Sequence, residues 1–309
     1  MAQEQETPLA VLDPRVSPPM FTRIYKGLGT FSKRKPIGAI GGLIMLLMIF
    51  CAGTAQWISP YDPLEVHPRD RLANVFETKE ASGNLYILGS DEIGRDILSR
   101  TIYGARTSVT IAFLAIAIGT TAGTIIGMAS AYFGGYFDLL VQRVIDAMFA
   151  FPLLIFALAI VSVLGQSVFN VVIALSIVLV PSVSRTVRGA SLSVMQQPYI
   201  EATKTIGART LRVVGLHLLP NVTAVVIVLA SIQLGSAIIV EASLSFLGLG
   251  TPPPTPSWGA MLSGSSRNFL EIAPHLAIIP GVAISLSVLG VNLLGDAIRD
   301  IWDPRLRGT

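Results

Sequence analysis

Of 309 residues, 52% are hydrophobic and 13% charged, about half the charged share of an average soluble domain, which excludes an ordinary soluble globule. The formal net charge of +3 is small, so the placement of the basic residues says more than their number. A single cysteine, Cys51, leaves neither an intrachain disulfide nor a CxxC metal motif.

In chain order, residues 1–36 hold Pro8, Pro14, Pro18 and Pro19 and read as a loosely ordered tail. Residues 37–58 reach span length, since about 20 apolar residues at 1.5 Å each cross a hydrocarbon core of about 30 Å. This run follows a long polar leader, and Met48, Ile49 and Phe50 lack the small residue of a lipoprotein cleavage site. It reads as an uncleaved first span rather than a signal peptide. Residues 59–106 interleave acids and bases and form a loop. Within it, "SDEIGRDILSRTIYGARTSV" predicts a short surface helix. Ser90 caps it, Asp91 and Glu92 face its positive end, and Asp96 and Arg100 share one side. Ile93, Ile97 and Thr101 lie on the membrane surface.

Further spans are predicted at 107–133, 141–164, 168–185, 222–249 and 273–295, making six. Only "GQSVFN" separates the third from the fourth, so those two are antiparallel neighbours. In the second span Gly119, Gly123 and Gly127 recur every fourth residue. That stripe lets two helices approach closely, either inside one bundle or between two subunits. Trp258, in a proline-rich loop, is placed over the outer mouth or at the membrane interface.

The basic residues orient the spans. Arg15, Arg23, Lys26, Lys33, Arg34 and Lys35 precede the first, and Arg185, Arg188, Lys204, Arg209 and Arg212 follow the fourth against one acid, Glu201. Arg299, Arg305 and Arg307 mark the end. Both termini and the segment 186–221 are therefore expected in the cytoplasm, and the loop 59–106 outside it.

Two acids fall within spans. Asp146 stands near one end and beside Arg143, and Glu241 near the other end, so both are expected to be satisfied by neighbours or water; Glu241 is also kept as a path-lining candidate. The sequence has no GxxxxGK[ST] loop, no HExxH and no GxSxG, and its three histidines lie in separate segments. Active movement of a solute would then take its energy from a partner.

The segment "EATKTIGARTLRVVGLHLLPN" is unusually ordered for a loop. Pro198 suits a first helical turn, Glu201 complements its positive end, and Gly207 suits a left-handed helix stop. A second helix resumes at Ala208, with Leu211, Val214 and Leu218 on one face, and Pro220–Asn221 close the unit before the fifth span. Such an element docks in a groove of another protein or lies along the membrane.

This segment resembles the "EAA" loop of ABC importer permeases, with Glu201, Ala202, Gly207, Leu219 and Pro220 at matching positions. Thr203 departs from the second alanine and His217 from the usual isoleucine. "LGSDEIGRDILSRTIYGAR", "EASLSFLGLGTPPPTPSWGAML" and "GDAIRDIWDPRLRG" also resemble the C-type permease subunit of dipeptide, oligopeptide and nickel importers. The resemblance implies an all-α membrane protein of the ABC type I importer permease fold in the inner membrane. Its core is expected at 107–296 and its tail at 297–309. It implies no catalytic site, metal or cofactor on this chain, and ATP with Mg²⁺ on partner subunits. The implied partners are a homologous B-type permease, two ABC ATPases, an external solute-binding protein and membrane lipid, but no nucleic acid. Glu201, Ala202, Thr203, Gly207, Leu211, Leu218, Leu219 and Pro220 would couple the chain to an ATPase. The solute is expected to be a dipeptide or oligopeptide, with nickel or another small solute as the alternative. An ion-coupled secondary transporter is the reading from another class.

Overall fold

A computed structural model describes residues 35–80, 82–263 and 268–302. The tail before residue 35 and the end after residue 302, with the basic residues expected there, lie outside it. The described chain is helical: α1 Pro36–Ile58, α2 Ile97–Phe133, α3 Gly135–Phe149, α4 Leu153–Leu164, α5 Val168–Met195, α6 Pro198–Thr205, α7 Thr210–Phe246, α8 Trp258–Leu262 and α9 His275–Trp302. A small antiparallel ribbon, β1 Glu77–Thr78 with β2 Leu85–Tyr86, lies in the segment after α1. By length and composition α1, α2, α5, α7 and α9 can cross a membrane, and α3 with α4 makes a sixth crossing if the pair is one broken span.

That pair corrects the continuous third span expected at 141–164. α3 and α4 meet at 94°. Pro152 has no N–H to donate and biases Phe151 away from helical dihedrals, so the helix stops while the apolar run continues.

The start of α2 also departs from expectation. Asp91 to Arg95 form a turn in which Asp91 Oδ1 accepts the N–H groups of Ile93 (3.0 Å) and Arg95 (2.9 Å). Asp96 then caps α2 by accepting the Ser99 N–H at 2.7 Å. A carboxylate used as a cap is not free to pair with Arg100. The Arg100 guanidinium instead donates to the Pro63 carbonyl (3.1 Å) and lies 3.7 Å from Asp91. Ile97 is buried beside Ala273 and Leu276 rather than spread on a membrane surface.

The glycine stripe of α2 belongs to the bundle. α2 packs most extensively on α5. A Cβ at Gly119 would lie 2.8 Å from the Ser176 carbonyl, one at Gly123 2.7 Å from Val183 Cβ, and one at Gly127 2.6 Å from the Ser184 carbonyl. The subunit-interface reading of these glycines is thereby corrected: α5 of the same chain fills the groove. Gly123→Val is expected to destabilise the bundle by about 1–3 kcal/mol, the usual cost of overpacking. A lower yield of monodisperse protein on fluorescence-detected gel filtration checks it, and a wild-type profile would refute it.

The main core gathers Ile111, Ala115, Leu175, Ile238 and Leu244 from α2, α5 and α7. A second cluster, Met128, Val183, Val187, Leu218 and Val222, ties the start of α7 to the ends of α2 and α5. Between α5 and α7 the chain makes the element described next.

Candidate functional site

After α5 the chain turns through Gln196 and Gln197 and enters α6 at Pro198, whose missing N–H is not needed in a first turn. Glu201 stands in the first turn and Lys204 in the last, each complementing the charge of its helix end. Ile200 is buried and pins the helix from below. The end of α6 is a Schellman motif: the Gly207 N–H donates to the Lys204 carbonyl (2.9 Å) and the Ala208 N–H to the Thr203 carbonyl (3.2 Å). Gly207 has φ +80° and open space where a Cβ would be. Its requirement is therefore conformational, not steric.

The following arm differs from the expected short helix closed by Pro220. It is the first part of α7, which runs unbroken from Thr210 to Phe246. Pro220 cannot donate, and its ring crowds the carbonyl four residues back. The helix absorbs this by widening into a π segment over Val213–Leu218, where the Leu219 N–H donates to the Val214 carbonyl. The wider turn shifts the phase of the side chains. Leu211 is 86% exposed while Leu218 is fully buried in the second cluster. The expected common face of Leu211, Val214 and Leu218 is therefore split, and Leu218 belongs to the fold.

What remains outside is an apolar pair, Ile206 (84% exposed) and Leu211. With Thr203, Gly207, Arg209 and His217 they line an open hollow of about 830 Å³. Glu201 and Ala202 are exposed beside it, and Leu219 and Pro220 are exposed on the second arm. Among the described residues Glu201 enters no ion pair. The residues expected to act together are thus gathered at one end of the molecule, with Leu218 alone among them buried. Ile206 was not singled out from the sequence, although an apolar residue between a polar helix and a capping glycine has no core to enter.

Tertiary contacts brace the element. Tyr132, at the end of α2, donates its hydroxyl proton to Thr210 Oγ1 (3.2 Å), and the Lys204 ammonium sits 5.5 Å from its ring centroid. Tyr199 of α6 tilts against His217 of α7 with centroids 6.1 Å apart. Asn221 Nδ2 donates to the Tyr199 hydroxyl (3.2 Å) and the His217 carbonyl (2.6 Å). The two arms are thus fastened to each other and to α2. Nothing in the spacing of the sequence announces Tyr132 or Tyr199, which meet the loop only through the fold.

The other candidate residues lie elsewhere. Glu241 is fully buried, with Oε1 accepting the Ser245 hydroxyl at 2.8 Å, so it faces the packed interior rather than an open path. Asp146 pairs with Arg185 of α5, not with Arg143, and that guanidinium sits 4.4 Å from the Phe149 ring centroid. Trp258 is buried and donates to the Thr101 carbonyl (3.0 Å), which makes it a core residue rather than an anchor or a mouth cover.

Residues 119–308 match the family described as "binding-protein-dependent transport system inner membrane component". The chain is 40% identical over 274 residues to the glutathione transport system permease protein GsiD of Pectobacterium atrosepticum, covering 89% of each. It is 43% identical over 271 residues to the di/tripeptide transport system permease protein DppC of Pseudomonas aeruginosa, covering 87% of this chain and 89% of that one. Among solved structures, the inward-facing MetNI methionine ABC transporter superposes with a TM-score of 0.54 at 17% identity, covering 67% of this chain and 97% of the other. That likeness is one of fold.

Proposed function

We propose, since this chain belongs to the binding-protein-dependent transport system inner membrane component family, that its braced element at Glu201–Pro220 couples it to an ATPase partner and that its solute is a small peptide. The chain is a permease subunit of an ATP-driven importer in the inner membrane and is not itself an enzyme.

The observation that carries the coupling role is the pairing of exposure with bracing. Ile206 and Leu211 are exposed apolar side chains on a polar, glycine-capped elbow. The elbow is tied through Tyr132 to α2 and continues directly into α7. A flexible loop would yield to a push, whereas this one passes it to two long helices. The proposed cycle follows. ATP binding closes a pair of ATPase subunits, the elbow moves with the subunit that holds it, and α2, α5 and α7 tilt against a second, homologous permease. An external solute-binding protein delivers the cargo to the opposite face. In this arrangement the elbow and both termini lie in the cytoplasm, in keeping with the basic residues Arg185, Arg188, Lys204, Arg209 and Arg212 near the elbow. The peptide reading draws on the solutes in the names of GsiD and DppC, glutathione and di/tripeptides.

The test is affinity purification of the tagged chain from its native membranes with mass spectrometry of the associated proteins, beside uptake of a radiolabelled tripeptide. ATPase subunits and a second permease are expected with the wild type. Glu201→Lys, which reverses a charge on the exposed face of α6, is expected to recover several-fold less ATPase than wild type, in line with a few kcal/mol at most for one interfacial charge. Equal recovery would reduce Glu201 to a helix-end charge.

A further inference from the structure

A hollow of about 280 Å³ lies between α4, α5 and α7, with the break before α4 at its rim, a size near the lower end of ligand pockets, which run about 300–1,000 Å³. Its walls include Phe151 and Phe156, stacked with centroids 5.8 Å apart, and Pro181. Against that apolar lining stand Ser182 of α5 and Gln233 and Ser236 of α7. Gln233 sits roughly 17 Å from one end of the span expected at 222–249 and roughly 24 Å from the other at 1.5 Å per residue, while Ser182 lies within one turn of the end of the span expected at 168–185. The hollow therefore reaches from that end of the bundle to the mid-depth amide of Gln233.

Three features converge there. Among the described residues the Nε2 atom of the half-buried Gln233 is itself buried and has no hydrogen-bond partner. A carboxamide at that depth is costly unless something pairs with it, and polar groups inside spans mark solute pathways. Non-helical backbone, here at residues 150–152, is tolerated at membrane depth only where protein buries it or where it lines a cavity. Pro181, in the same wall, leaves the carbonyl of Ile177 without its helical donor. The hollow thus offers an amide donor, two hydroxyls and a stacked aromatic pair. An acyl chain would satisfy none of the polar groups, whereas a solute carrying amide carbonyls and N–H groups would. The broad torsion at the end of a glutamine side chain lets the amide turn into the hollow.

We infer that this hollow is a contact site on the transport path for the amide groups of the solute, with Gln233 as its recognition residue. The inference rests on the peptide-importer reading above. It makes Gln233, rather than Glu241, the polar residue of α7 that meets cargo. Its apolar walls accept varied side chains, while the amide reads only what every small peptide shares.

The test uses the assembled complex with its solute-binding protein in lipid nanodiscs and proteoliposomes. Gln233→Leu is expected to assemble at wild-type yield and to lower uptake of radiolabelled trialanine about tenfold, the loss of roughly one hydrogen bond. Gln233→Asn should recover part of it. Independently, in a Cys51→Ala background, Ser236→Cys should react with a small cationic thiosulfonate and be protected by trialanine with ATP, while Leu47→Cys on the exposed face of α1 should show no such protection. Normal wild-type uptake with undiminished Gln233→Leu uptake overturns the inference alone. A wild-type complex that imports no trialanine overturns the peptide reading and the inference with it. If Gln233→Leu fails to assemble, the Ser236→Cys result decides: an inert or unprotected thiol means that a lipid or the partner permease fills the hollow.

Discussion

Gly207→Val is expected to abolish transport while leaving the chain in the membrane at near wild-type amounts. At φ +80° Gly207 occupies the left-handed region, where an L side chain costs about 1–2 kcal/mol and a β-branched one is a true outlier. A Cβ there meets nothing within 4 Å, so the substitution does not collide with the bundle. The spans are held by their own core, in which residue 207 has no part. The strain must be relieved where it arises, by returning residue 207 to negative φ, which breaks the bonds from Gly207 and Ala208 back to α6. Ile206 and Leu211 then no longer face one partner. Gly207→Asn, which tolerates the left-handed region better, should keep part of the activity. Uptake by the reconstituted complex, beside immunoblots of membranes, checks this. Wild-type uptake by Gly207→Val would remove the bend from the mechanism.

How much of this was legible beforehand follows from the range of each cause. The cap at Gly207 depends on residues within one turn of it, so the sequence announced it. The glycine stripe of α2 announced close packing, but small residues state only that something comes near. That Ser176, Val183 and Ser184 fill the groove is decided by which helix the fold brings there. Pro152 was visible, yet the apolar run on both sides of it met the length test for one span, and hydropathy carries no information about direction. Leu218 leaves the face that a period of 3.6 assigns it because a π segment intervenes, and Pro220 distorts the helix there instead of stopping it. The Tyr132 and Tyr199 braces and, among the described residues, the unpaired Nε2 of Gln233 are tertiary facts. Their partners, or the lack of them, are set by helices far apart in sequence.

Because Leu218 is buried in the second cluster, the exposed apolar surface of the elbow is that of Ile206 and Leu211. Ile206→Asp combined with Leu211→Asp is expected to weaken ATPase binding at least about a hundredfold. Each side chain, 84% and 86% exposed in the lone chain, would forfeit about 1.5–3 kcal/mol of burial in a partner's groove. The chain itself should be untouched, because neither side chain belongs to the main core or to the second cluster. Leu218→Asp should do the opposite. It places an unpaired carboxylate among Met128, Val183, Val187 and Val222, a change that ranks with the severe mechanisms of destabilisation. Folded protein, rather than ATPase affinity, should fall. Titration of purified ATPase subunits onto each variant in nanodiscs, beside its gel-filtration profile, separates the two. A double variant that binds ATPase as wild type does would leave the apolar pair without a partner and return the elbow to the membrane surface, where two aspartates at those positions should instead release it from lipid.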